Sequence, residues 1–232
     1  MANQFISRNL DYLNPGSMPY KEAWDLQIKL SKQRLENQIN DTLILLEHPH
    51  TYTLGKTGKE SNFLSSREAL VKEGISVYDI DRGGDITYHG PGQIVGYPIL
   101  NLADWKRDTN LYLRGLEEVI IKTCSEFGLK CYRDNKFTGV WVNNKKICAI
   151  GIKISRWISM HGFALNVSTN LEYFNKIIPC GILGKEVTNL TEELGSAIEP
   201  DVVKTKILNQ FKEYFGYDNI LLKGGKKDIL LS

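Results

Sequence analysis

No C-x-x-C pair and no interleaved histidines accompany the four cysteines of this 232-residue chain, which argues against a zinc site. In a reducing compartment Cys124, Cys131, Cys148 and Cys180 are expected as free thiols. Apolar runs are short: 43–46 and 94–100 fall far below the ~20 residues of a membrane-spanning helix and carry polar neighbours. Basic runs are missing from the body of the chain, and a net charge of +2 leaves no electrostatic footprint for nucleic acid. The opening M-A-N-Q-F-I-S-R-N-L has neither the charged-then-apolar order of a signal peptide nor an Arg/Ser-rich transit character. A cytoplasmic protein with no membrane or nucleic-acid partner is therefore expected. Repeats and low-complexity segments are absent too.

What remains is ordinary globular composition, 42% hydrophobic and 24% charged. The length suits one domain over residues 1–232, with Lys223, Lys226 and Lys227 in a solvated tail. Residues 19–38 read as a helix whose apolar face is Ala23, Trp24, Gln27, Leu30 and Leu35. The run 43–46, bounded by Pro49, suits a buried strand. Ser65-Ser66-Arg67-Glu68 fits a capping box for a short helix that Gly74 stops. Strands are expected at 75–80, and at 85–88 and 93–100 around the H-G-P-G break. Leu113, Leu116, Ile120, Thr123 and Phe127 recur at helical spacing over 110–127, and Gly128 ends that helix. Strands at 139–142, 147–154 and 160–167 follow, with Asn143-Asn144 suited to the φ > 0 demands of a hairpin turn. A last helix spans 201–215, between Pro200 and Gly216. With about four helices and roughly eight strands in mostly hairpin order, the pattern favours an α+β fold, a mixed sheet flanked by helices.

Four segments carry chemistry-bearing residues. In Arg82-Gly83-Gly84-Asp85-Ile86-Thr87-Tyr88-His89-Gly90-Pro91-Gly92-Gln93, the glycines let backbone approach a ligand while Thr87, Tyr88 and His89 offer polar edges. A purely structural glycine-rich hairpin explains the same residues, and no Walker or Rossmann spacing is present. Lys146 opens the strand 147–154. Strict alternation places it with Cys148, Ile150 and Ile152, opposite Ile147, Ala149, Gly151 and Lys153. In Met160-His161-Gly162-Phe163-Ala164, Gly162 and Ala164 share a face and leave a shallow channel; His161 is either a base or a structural hydrogen-bonding group. In Ile178-Pro179-Cys180-Gly181-Ile182 the glycine leaves its N–H free to stabilise an oxyanion. A buried, inert loop cysteine is the alternative. His48-Pro49-His50 makes no recognised metal spacing.

Taken together, R-G-G-D-I-T-Y-H-G-P-G-Q, K-I-C-A-I-G-I-K-I-S-R-W-I-S-M-H-G-F-A-L-N-V and I-I-P-C-G-I resemble the lipoyl(octanoyl) transferase family, with E-H-P-H-T-Y-T-L-G and V-T-N-L as weaker elements. The likeness runs from about residue 43 to 190, with three long motifs in register. It implies a fold shared with biotin and lipoate ligases. It also implies transfer of an octanoyl group from octanoyl-acyl carrier protein to a lysine of lipoyl domains: those of 2-oxoacid dehydrogenase acyltransferase subunits and of glycine cleavage H protein. By the same resemblance Cys180 is the acyl-accepting thiol and Lys146 its lysine partner. Arg82, Gly83, Gly84, Asp85, Ile86, Thr87, Tyr88 and His89, then Ala149, Ile150 and Gly151, then Gly162, Phe163 and Ala164, are implied to contact substrate. Cys148 departs from the family's usual alanine, and a packing change is expected there. No metal or nucleotide cofactor is implied.

Three rivals remain at this stage. An ATP-dependent lipoate or biotin ligase of the same fold needs a nucleotide loop of G-R-G-R type, which is lacking. A non-catalytic module that holds an acylated carrier predicts no covalent adduct. A hydrolase built on Cys180 and His161 predicts free octanoate.

Overall fold

The run Leu43-Ile44-Leu45-Leu46 fixes the architecture, because a strand that is apolar at every position must be covered on both faces. Leu43 and Leu45 enter one apolar cluster, while Ile44 and Leu46 enter another. The protein is described here from a computed structural model that covers residues 7–178 and 186–224. Pro179, Cys180 and Gly181, with Lys226 and Lys227, lie outside the described residues.

Strand β1 (Asn9–Ser17) leads into α1 (Tyr20–Leu35), β2 (Asp41–Glu47) and β3 (Thr51–Leu54). Helix α2 (Arg67–Lys72), β4 (Ser76–Asp79), β5 (Ile86–His89) and β6 (Gln93–Ile99) follow. After α3 (Thr109–Ser125) come β7 (Tyr132–Arg133), β8 (Val140–Val142), β9 (Lys145–Ser155) and β10 (Ile158–Asn166). The order closes with α4 (Leu190–Leu194), α5 (Pro200–Phe215) and β11 (Asn219–Leu222).

The larger sheet runs β11-β1-β2-β6-β10-β9-β8-β7 and the smaller β4-β3-β5. β1 pairs in parallel with both β11 and β2, and β3 with β4; the remaining pairs are antiparallel. This is the mixed, helix-flanked α+β arrangement that the sequence pattern implies. Helices α3 and α5 cover one face through Leu116, Ile120, Ile207 and Phe211. On the other face Ala23 of α1 packs with Ile44, Val95 and Ala164. The smaller sheet has its own core, in which Tyr52, Leu70, Ile86 and Tyr88 meet Phe174.

Several expectations are corrected. Among the described residues there are eleven strands and five α-helices, more than the sequence pattern implies. The α2 cap is Ser66, whose Oγ accepts the Ala69 N–H, so the reciprocal Ser65/Glu68 box does not form. Strands β5 and β6 are not a hairpin: the H-G-P-G break carries the chain from the smaller sheet to the larger. Lys223 is no free tail residue, since its N–H bonds the Tyr12 carbonyl and its ammonium lies 3.7 Å from Asp11.

Candidate active site

The site is built on the hairpins β8–β9 and β9–β10. Asn143-Asn144 turns the first at φ 47 and 64, as their side chains allow, and Arg156-Trp157 turns the second at φ 51 and 67. Pairing along β8–β9 is irregular: Val142 faces Lys145, Trp141 faces Lys146, but Val140 faces Cys148. Ile147 is thus an extra residue, a β-bulge. Strict alternation would put Lys146 on the Cys148 face, and the bulge overturns that. Ile147 and Cys148 both enter the core with Val140 and Val142. Lys146 instead joins Ala149 and Gly151 in lining a cleft of about 650 Å³.

Small residues hollow out that cleft. Val95 pairs with Ala164, which pairs with Ala149; alongside, Gly162 pairs with Gly151. Arg82, Gly84, Asp85, Ile86, Thr87 and His89 also line it, as do Ile150 and Phe163. Gly83 and Tyr88 are not in its wall. Gly83 instead lays the loop across β9, donating its N–H to the Ile152 carbonyl at 2.9 Å. A Cβ on Gly151 would sit 2.8 Å from the Gly83 oxygen, so the crossing requires glycine there. Tyr88 is buried, its hydroxyl hydrogen-bonded with His50 Nδ1 at 2.6 Å and its ring stacked on that of Tyr173 at 4.9 Å.

A chain of hydrogen bonds ties the glycine-rich loop to Lys146. Arg82 Nη2 donates to the carbonyl and Oγ1 of Thr53, each at 3.0 Å. Gln93 Nε2 donates to the Tyr88 carbonyl and to Asn166 Oδ1, so Gln93 Oε1 must accept from His89 Nδ1–H at 2.9 Å. His89 Nε2 is left as acceptor for Thr53 Oγ1 at 3.4 Å. Asn166 Nδ2 donates to the Thr188 carbonyl, and Thr188 N–H to the Lys146 carbonyl. Burial, with neighbouring His48 next, pushes the His89 pKa well below its ordinary value. His48 is held down at about 4 by burial, donating Nδ1–H to the Met18 carbonyl and accepting the Tyr97 hydroxyl at Nε2.

His161 stands at φ 57 in the cleft wall, its Nε2–H donated to Asp81 at 2.8 Å. Burial lowers its pKa in spite of the Asp81 carboxylate. Asp81, which also accepts Lys153 Nζ, is held below its usual range by those two hydrogen bonds against the cost of burial. Cys148 is fully buried and burial pushes its thiol up, as suits a packing residue. Cys124 is also pushed up, by its hydrogen bond with Cys131 and by burial. No set of three or more His, Cys, Asp or Glu among the described residues could hold a metal ion.

Cys180 lies outside the described residues, but both ends of its segment are anchored at the cleft. Ile178 N–H bonds the carbonyl of Asn62, and Lys146 N–H bonds the carbonyl of Glu186, each within 2.9 Å. Asn62, Lys146 and Val187 all line the cleft. Sequence reading gave no place to Asn62 or Tyr97, and quoted Gln93 and Asn166 within motifs without a role. Tyr97 comes in on β6, paired with Ile44 of β2, and Asn62 on the short turn of helix that follows β3.

The fold is that of lipoate-protein ligase A: its crystal structure bound with ATP matches at TM-score 0.74 and 16% identity, over 97% of this chain and 92% of that one. A bi-partite lipoate protein ligase of Thermoplasma acidophilum matches at TM-score 0.71 and 15% identity, over 96% of this chain and 90% of that one. The lipoyl protein ligase A/B catalytic-domain model matches residues 19–212, and the chain belongs to that family. Within it, the octanoyltransferase of Christiangramia forsetii is 46% identical, over 90% of this chain and 97% of that protein. That of Rubrobacter xylanophilus is 50% identical, over 87% of this chain and 91% of that protein.

Proposed function

We propose that this chain is an octanoyltransferase of protein lipoylation, moving an octanoyl group from acyl carrier protein to a lysine of lipoyl domains through a Cys180 thioester. Relatives named octanoyltransferase at 46% and 50% identity support the activity. The observation that carries the catalytic reading is the β9 bulge. It turns Lys146 to the cleft and uses its backbone N–H and C=O to bind Glu186 and Thr188, just past the cysteine segment.

The Cys180 thiolate attacks the donor carbonyl carbon; a C–S bond forms, and collapse of the tetrahedral intermediate breaks the carrier's C–S bond. The departing carrier thiolate takes a proton from the Lys146 ammonium. The acceptor amine then attacks the enzyme thioester, a C–N bond forms, Cys180 leaves as thiolate, and the amine proton returns to Lys146. The proton count closes over one cycle. The backbone N–H of Gly181 is the proposed oxyanion donor; that of Gly151 faces its partner Gly162 in β10.

An ordinary thiol, with pKa ~8.5, is a few per cent ionised at neutral pH. An ammonium at contact distance favours the thiolate by about 4 kcal/mol at an effective dielectric near 20, and desolvation offsets part of that. A reducing cytoplasm is the setting proposed, since the nucleophile must remain a free thiol.

Intact mass spectrometry after mixing with octanoyl-carrier protein tests the reading. One octanoyl adduct on the peptide bearing Cys180 is expected; transfer without any adduct would rule the thioester out.

A further inference from the structure

The cleft carries a charge imbalance that acyl transfer alone leaves unexplained. The whole chain is nearly neutral, at +2. Yet the charged residues lining the cleft are Lys59, Arg82, Lys136 and Lys146 against Asp85 alone. Arg82 is buried and bonded to Thr53 and Gly83, and Asp85 is held by Asn62 Nδ2 at 2.7 Å. Lys59 and Lys136 differ: both are exposed, and neither ammonium pairs with a carboxylate among the described residues.

Their places in the fold connect them to the nucleophile segment. The Lys59 carbonyl accepts the Asn62 N–H at 2.9 Å, and Asn62 in turn holds Ile178, where the chain enters that segment. Lys136 precedes Phe137, whose ring packs 6.2 Å from that of Trp141, and Gly139, whose absent Cβ would lie 3.5 Å from Lys146 Cε. Lys146 holds Glu186, where the chain leaves the segment. One lysine thus stands on the loop that fixes the entry, and the other on the loop that abuts the residue fixing the exit.

An octanoyl chain gives such cations nothing to bind, whereas a thioester arm that bears a phosphate ester does. We propose that Lys59 and Lys136 bind the phosphate ester of the acyl donor's arm at the mouth of the cleft. This rests on the transfer reading above. Two flexible point charges suit a phosphate that must arrive and depart in every turnover. The same chemistry occurs on a carrier protein's arm and on a free coenzyme A thioester.

Transfer to a lipoyl domain is measured for wild type and K59E/K136E with four donors: octanoyl-pantetheine, octanoyl-phosphopantetheine, octanoyl-coenzyme A and octanoyl-carrier protein. For the variant, kcat/KM is expected to fall on the order of tenfold with octanoyl-phosphopantetheine and with the carrier, as loss of charge complementarity predicts. Octanoyl-pantetheine, which lacks phosphate, should change less than about twofold, and added salt should weaken only the wild type. A matching fall with the coenzyme A thioester shows that either source is read. Weak wild-type use of that thioester assigns the site to the carrier's arm. Equal losses with and without phosphate, or a loss confined to the intact carrier, overturn the proposal. Calorimetric binding of phosphopantetheine against pantetheine decides the site independently of turnover. Absence of transfer from all four donors by the wild type would instead count against the transfer reading.

Discussion

The Lys146 ammonium lies 4.9 Å from the centroid of the buried Trp141 ring, the residue it faces across β8 and β9. The indole is itself fixed by donating Nε1–H to the Phe137 carbonyl at 3.2 Å. The ring's negative face attracts the cation and fixes its position. The bulge at Ile147 is what allows this, because without the extra residue Lys146 would share the Cys148 face, inside the core.

A fixed ammonium beside the cleft leads to the first prediction. Lys146→Ala should move the pH midpoint for alkylation of Cys180 upward by about one to two units, as loss of an adjacent cation does to a thiol. Iodoacetamide kinetics followed by peptide mapping measures this. An unchanged profile would remove Lys146 from thiol activation.

The crossing of the glycine-rich loop over β9 gives the second. Gly151→Ala places a methyl 2.8 Å from the Gly83 oxygen and 3.0 Å from Arg82 Cδ. Backbone cannot yield as a side-chain tip can, so a loss of about 1–3 kcal/mol is expected in urea unfolding. KM for the octanoyl donor should rise as well, because Gly84 to Thr87 follow on the displaced loop. Wild-type stability and KM together would show that the loop does not rest on β9.

Sequence alone revealed the strands and helices whose periodicity is undisturbed, such as α3, α5 and the β2 run, together with the Asn143-Asn144 turn. It missed β1, where Asn14-Pro15-Gly16 interrupts the pattern and the register indeed shifts between Leu13 and Gly16. It missed the face of Lys146 for a related reason. A bulge has no composition of its own, so alternation counted along the chain goes out of phase at Ile147. Tyr88 shows the converse limit: it belongs to a motif implied to contact substrate, yet the pleat sends it into the core of the smaller sheet, while Thr87 and His89 line the cleft. The polar chain from Arg82 through His89 and Gln93 to Asn166 joins residues of both sheets, and local spacing holds no trace of such long-range pairing.

Asp41 supports the third prediction. Its buried carboxylate accepts from Arg34 Nε at 2.8 Å, the Tyr217 hydroxyl at 2.7 Å and the Asn101 N–H at 2.8 Å. Arg34, almost as deeply buried, keeps Asp104 as a second partner. Asp41→Ala leaves Arg34 and Tyr217 facing an unpaired void and should cost about 3 kcal/mol, near the low end for a broken buried pair. The urea midpoint should fall at unchanged slope. A shift below about 1 kcal/mol would mean that water replaces the carboxylate without penalty.

The last prediction concerns acid. His48 is fully buried with its pKa near 4, against 6.5 for the ordinary side chain, so the unfolded chain binds a proton there that the folded protein refuses. The groups around it offer no compensating negative charge: Tyr20 at 5.1 Å, His89 at 5.7 Å and Tyr97 at 5.9 Å between ring centroids, and the Met18 carbonyl. Protonating Nε2 would also reverse its hydrogen bond with the Tyr97 hydroxyl, which would have to turn its own proton elsewhere in a buried site. Stability is therefore fully present above pH 6.5 and falls as pH drops toward 4, because over that window the unfolded state carries more protons. At pH 4.5 the loss from His48 alone comes to about 2–3 kcal/mol. His89 and His161, also depressed by burial, act in the same direction. His48→Gln should be less stable than wild type at pH 7, yet lose less stability between pH 7 and 4.5. Urea unfolding at both pH values measures the difference, and equal losses in the two proteins would show that His48 accepts its proton without unfolding.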